Sequence, residues 1–129
     1  MKRLGLLAAC AGLLAGGSAL AESSDSAKAL PALVKNSCAA CHSFEQGGPN
    51  GQGPNLYGII GSQAGSAPGY AYSAAFRKSL GGQIWSRELM DAWLADTQQV
   101  APGTLMTYFL GEQKYRTQIV DYLAGAARK

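Results

Sequence analysis

Cys38-Ala39-Ala40-Cys41-His42 sets two thiols three positions apart, with an imidazole directly after the second. Thiols at this spacing share one turn, where each can form a thioether to a vinyl group of a single porphyrin. The imidazole that follows then faces the iron as its proximal ligand. The pattern is the C-x-x-C-H signature of covalent c-type haem attachment, with Cys38 and Cys41 as anchors and His42 as metal ligand. Two other uses of the same residues fit less well. A structural zinc site needs four ligands, commonly as two spaced pairs, and after His42 the chain offers no further Cys or His. A thiol-redox pair wants a βαβ setting, and no strand-like run flanks this one.

The elements that must carry these residues begin after a leader. Met1-Lys2-Arg3, the apolar stretch Leu4 to Leu14 and the small residues ending Ala19-Leu20-Ala21 have the layout of a secretory signal peptide over 1–21. Leu7-Ala8-Ala9-Cys10 resembles a lipid-attachment site, but the apolar run continues past the cysteine, so cleavage after Ala21 is the reading kept. The apolar stretch is too short and glycine-rich for a membrane span, so none is expected in the mature chain. Cys10 then leaves with the leader, and both remaining cysteines belong to the haem motif. Export places the chain in the periplasm.

The polar, Ser-rich residues 22–28 read as a flexible leader, and 29–129 as one domain. Cleavage leaves 108 residues and takes the formal charge from +3 to +1. So small a domain buries a limited core, and a covalent haem would supply an apolar centre. The near-neutral balance argues against nucleic acid as a partner.

Pro31 suits the first turn of a helix that buries Leu33, Val34 and Ser37 and runs into Cys38. From Gly47 to Gly69 the chain is dense in Gly, Pro, Asn and Ser, a long loop acceptable where it wraps a cofactor. Ser86 is placed to cap a helix carrying Leu89, Met90, Trp93 and Leu94 on one face. Pro102-Gly103 opens a second loop, and Ile119, Val120, Tyr122, Leu123 and Ala126 recur at helical spacing between Tyr115 and Ala127. No strand is expected. The chain reads as all-α, three to five short helices with long loops.

With this order of elements the chain resembles a class I cytochrome c, from about Leu33 to Leu123. The motifs that carry the likeness are Cys38-Ala-Ala-Cys-His42, Gly53-Pro54-Asn55-Leu56 with Gly58, Ala67-Pro68-Gly69-Tyr70, Tyr72-Ser73, Trp85, Leu89 with Trp93-Leu94, and Pro102-Gly103-Thr104-Leu105-Met106. The resemblance implies the cytochrome c fold around one covalent haem c. It implies Met106 as distal axial ligand opposite His42, a pairing usual in electron transfer. A methionine is often mere core filler, which is the reading for Met90 on its helix face, whereas Met106 follows Pro-Gly-Thr in a loop. By the same likeness, the Pro54 carbonyl accepts the second ring N–H of His42, and Tyr72 and Trp85 donate to a haem propionate.

The chain departs from the family pattern in three ways. Ser62 stands where an Arg often pairs with a propionate, and Leu30 where a Gly often lies at the helix crossing. Ser37, Gly51, Gln98, Gln99 and Leu105 occupy places where the mitochondrial type carries steering lysines, and Lys35, Lys78 and Lys114 do not rebuild that ring. The function implied is one-electron transport in a respiratory chain, not enzyme catalysis. Expected partners are a quinol-oxidising cytochrome complex, a terminal oxidase or a periplasmic dehydrogenase. The protein would work as a free monomer or as a fixed electron-accepting subunit of such a dehydrogenase. A peroxidase or gas sensor would need an open iron position.

Overall fold

A computed structural model of the protein describes residues 31–126. The signal segment 1–21, the leader 22–28, Cys10 and Leu30 lie outside the described residues. Five helices follow in order: α1 (Ala32–Cys38), α2 (Ala74–Leu80), α3 (Arg87–Ala95), α4 (Thr97–Val100) and α5 (Gln113–Ala126). Extended pairing among the described residues is confined to two isolated bridges, Gln63 with Ile84 and Asp96 with Phe109. The fold is all-α, as expected. No helix of the described residues is long and apolar enough to cross a membrane.

Local chemistry explains each helix. Pro31 stands at the N-cap of α1 and its carbonyl accepts from Lys35 N–H at 2.9 Å. Val34 and Cys38, one turn apart, are the buried face. The Ser73 hydroxyl accepts from Phe76 N–H to start α2, whose buried residues are Phe76 and Leu80. Ser86 starts α3 in the same way, through Leu89 N–H at 3.0 Å, and Met90, Trp93 and Leu94 go inside.

The α3 helix does not run on to Pro102. Asp96 turns extended (φ −164°, ψ 106°), and its carboxylate accepts from the N–H groups of Gln98 and Gln99 to open α4. A short acidic side chain that satisfies orphan donors of a new helix outcompetes continuation of the old one. The sequence reading missed α2 and α4, because seven and four residues hold too few turns for a periodic signal.

Arg116, Ile119, Val120 and Leu123 form the inner stripe of α5, which packs chiefly on α3 and also on α1. An edge-on contact of Phe44 and Tyr122 at 5.8 Å adds to the α5 side of the core. Arg116 is nearly sealed, yet fully used. It makes a two-pronged ion pair with Asp91 of α3 (2.9 and 3.3 Å) and donates to the Leu110 and Gly111 carbonyls, both at 2.9 Å. One guanidinium thus ties two helices to the segment between them. Arg116→Met should lower unfolding free energy by about 2 kcal/mol, since it strands two carbonyls and a half-buried carboxylate. The urea midpoint is the measurement.

Candidate haem site

Backbone turns at the end of α1 place the reactive triplet. Both Cys41 N–H (3.1 Å) and His42 N–H (3.0 Å) donate to the Cys38 carbonyl, so the chain curls tightly and the three side chains share one side. Cys38 is buried and Cys41 half-buried, and no disulfide joins them. Burial, with the Cys41 thiol beside it, pushes the Cys38 thiol up to about 11. Redox-active cysteines run the other way, towards the thiolate, which weakens the thiol-redox reading.

The glycine-rich loop is folded onto this turn. Gly53 N–H donates to the Cys41 carbonyl at 2.9 Å and Gly51 N–H donates to the Gly53 carbonyl at 2.9 Å. A Cβ on Gly53 would fall on the His42 ring, and one on Gly51 would come within 2.8 Å of the Cys41 carbonyl oxygen. Only bare backbone can approach this closely. The approach sets the Pro54 carbonyl 2.7 Å from His42 Nδ1. A carbonyl can only accept, so Nδ1 carries the proton and Nε2 keeps its lone pair for a metal. Burial lowers the imidazole pKa, opposed by the Pro54 bond, and the net shift favours the neutral ring that a ligand must be.

Across from this wall runs the second loop. Ala101-Pro102-Gly103-Thr104 is a tight turn closed by Thr104 N–H to the Ala101 carbonyl at 3.0 Å, with Gly103 at φ 84°. Proline followed by a residue with positive φ is the type II pattern. It delivers Leu105 and Met106 to the cavity side. A third wall is aromatic. Tyr70 meets Tyr72 at 4.8 Å, Tyr72 stacks on Phe76 at 4.7 Å, Phe76 meets Trp93 edge-on at 5.7 Å, and Trp93 meets Trp85 at 5.9 Å.

The walls enclose a cavity of about 290 Å³, lined by Cys38, Cys41, His42, Pro54, Tyr72, Trp85 and Met106. All seven residues singled out by sequence therefore face one space. Phe76, Trp93, Tyr108 and Met90 share the lining and were missed as site residues, Met90 having been read as core. Among the described residues no Asp, Glu, Lys or Arg lines it. Ser62 does not replace the missing arginine, since its hydroxyl donates to the Ile59 carbonyl at 2.8 Å. Tyr72 accepts from Ala67 N–H at 3.4 Å through its phenol oxygen, which leaves its own proton to donate. A flat apolar macrocycle suits this space. Paired thiols, a neutral imidazole and a thioether are the donor set that c-type haem takes.

Among the described residues Leu105 (79% exposed), which also borders the cavity, Phe109 (73%) and Ile84 (56%) are large apolar side chains in solvent. Gln98, at the place of one of the family's steering lysines, is half-buried, its amide accepting from Gly103 N–H and donating to the Thr104 carbonyl.

The sequence profile of the family described as cytochrome c matches residues 27–126. The chain is 37% identical over 98 residues to cytochrome c of Kluyveromyces lactis, covering 74% of this chain and 86% of that one. It is 39% identical over 98 residues to cytochrome c of Theileria parva (75% and 83% covered). A cytochrome c homolog of Bradyrhizobium diazoefficiens is 36% identical over 94 residues, covering 71% of this chain and half of the other.

Gly53→Ala tests the close approach, because the added methyl must push the imidazole from its place. The haem-to-polypeptide ratio of the exported protein should fall by roughly tenfold.

Proposed function

The chain belongs to the cytochrome c family, and on that premise we propose that it is a monohaem one-electron carrier of the periplasm, with His42 and Met106 on the two axial positions of the iron. Its haem c is covalent, one group held through the cysteines, and the family's work is electron transfer. When bound, the haem supplies one-electron redox chemistry at its iron. The residues supply the rest. Cys38 and Cys41 fix the macrocycle, and Pro54 holds His42 in one tautomer. Tyr72 and Trp85 offer an O–H and an N–H to a haem carboxylate that finds no cation in the lining. The aromatic wall would keep water from the bound group. The single observation carrying this reading is that Cys38, Cys41, His42 and Met106 line one cavity with no charged side chain among its described lining residues.

Periplasmic location rests on the signal-like layout of residues 1–21. A closed pair of axial ligands favours a carrier over a peroxidase or gas sensor, both of which need a vacant position. The proposed partners are a quinol-oxidising cytochrome complex, a terminal oxidase or a periplasmic dehydrogenase. A second reading, a fixed electron-accepting subunit of such a dehydrogenase, is favoured by Leu105 and Phe109, which offer apolar contact rather than long-range steering.

A haem-stained denaturing gel of the exported protein tests covalent attachment, and its potentiometric midpoint narrows the donors and acceptors. Co-purification with an enzyme subunit would support the second reading. With no charged residue between Gly103 and Leu110, around the exposed Leu105, little steers encounter at that face. The rate of electron delivery should change by less than about threefold between low and physiological salt. A steep fall would contradict an uncharged docking face.

A further inference from the structure

Thr97 has no exposed surface, yet three hydrogen bonds converge on it from one segment of the second loop. Its N–H donates to the Tyr108 carbonyl at 3.1 Å. Its hydroxyl oxygen accepts from Tyr108 N–H at 3.0 Å and lies 2.6 Å from the Met106 carbonyl. The same oxygen is 3.2 Å from the Tyr108 carbonyl. A hydroxyl has one proton, and the Tyr108 carbonyl already receives the Thr97 N–H, so the short bond to Met106 takes it. Every polar group of Thr97 that reaches this loop therefore grips residue 106 or residue 108.

Gln98, the next residue, grips the other side of Met106 through Gly103 N–H (3.0 Å) and the Thr104 carbonyl (3.1 Å). Both clamping residues stand on a base that is itself anchored, because Asp96 caps α4 and pairs with Phe109. We infer that Thr97 and Gln98 of α4 are positioning residues for Met106, a two-sided clamp that keeps its thioether in the cavity and out of reach of competing ligands. The inference rests on Met106 being an axial ligand.

The energetics favour the hydroxyl over mere packing. Thr97→Val keeps the shape and removes the hydroxyl, which leaves the part-buried Met106 carbonyl and Tyr108 N–H without that partner. Opening the loop then returns both groups to water, so open forms gain population. Thr97→Ser keeps the hydroxyl and loses only a methyl.

The test is the affinity of the ferric holoprotein for added imidazole, which can bind the iron only where the methionine has left. Thr97→Val should bind it about tenfold more tightly than the parent, with faster hydrogen exchange at the Tyr108 amide. Thr97→Ser should stay within about twofold of the parent. Gln98→Ala, at a half-buried site and expected to fold in any case, should gain about threefold. Parent-like imidazole affinity in Thr97→Val or in Gln98→Ala would overturn the clamp. Equal gains in Thr97→Val and Thr97→Ser would overturn it too, by pointing to packing. Met106→Ala separates the premise from the inference. It should bind imidazole far more tightly than the parent, and an already equal parent would remove Met106 as ligand and the clamp with it.

Discussion

The contact on which the site depends is the close approach of the Gly51–Pro54 backbone to the turn that ends α1. It exists because Gly53 has no Cβ to collide with the His42 ring. The approach lets the Pro54 carbonyl reach Nδ1, and that single bond decides the tautomer, the ring's orientation and which nitrogen is left for iron. The long loop after the haem motif is thus a wall built of backbone. A cofactor filling the cavity would in turn give that loop a surface to lie on.

The opposite wall is held by different means. There the chain cannot use a helix face, because Met106 lies in a loop and must be fixed from behind. Thr97 and Gln98 provide side-chain bonds, and Arg116 pins the loop's exit to α3 and α5. The two walls therefore differ in kind, one rigid by close packing and one by a few polar contacts that can open together. Stability of such polar contacts sits at the low end of a protein's local opening energies. The aromatic wall between them, from Tyr70 to Trp85, contributes apolar area without any charge.

Much of this was legible in the residue order, for reasons that can be named. Cys38, Cys41 and His42 declare themselves because one chemistry demands that spacing. Ser86 and the stripe Met90, Trp93, Leu94 declare α3 through capping and periodicity. Phe76 was hidden in a helix of seven residues whose partners are distant in sequence. Thr97 carried no signal, since a threonine between Asp96 and Gln98 looks like surface, and only the folded loop shows that its hydroxyl is sealed. Gln98 carried no signal for the same reason: its amide is bound to the backbone of its own loop. Long-range polar contacts leave no period in a sequence.

Two methionines of the described residues, Met90 and Met106, line the same cavity, so the identity of the second axial ligand is the central claim. The most direct measurement is the NMR spectrum of the reduced holoprotein labelled with ¹³C at its methionine methyl groups. One methyl held over the porphyrin at the iron should be displaced far from the ordinary methionine range. That signal should persist in Met90→Leu and vanish in Met106→Leu. Its persistence in Met106→Leu, or the absence of any displaced methyl in the parent, would contradict the account.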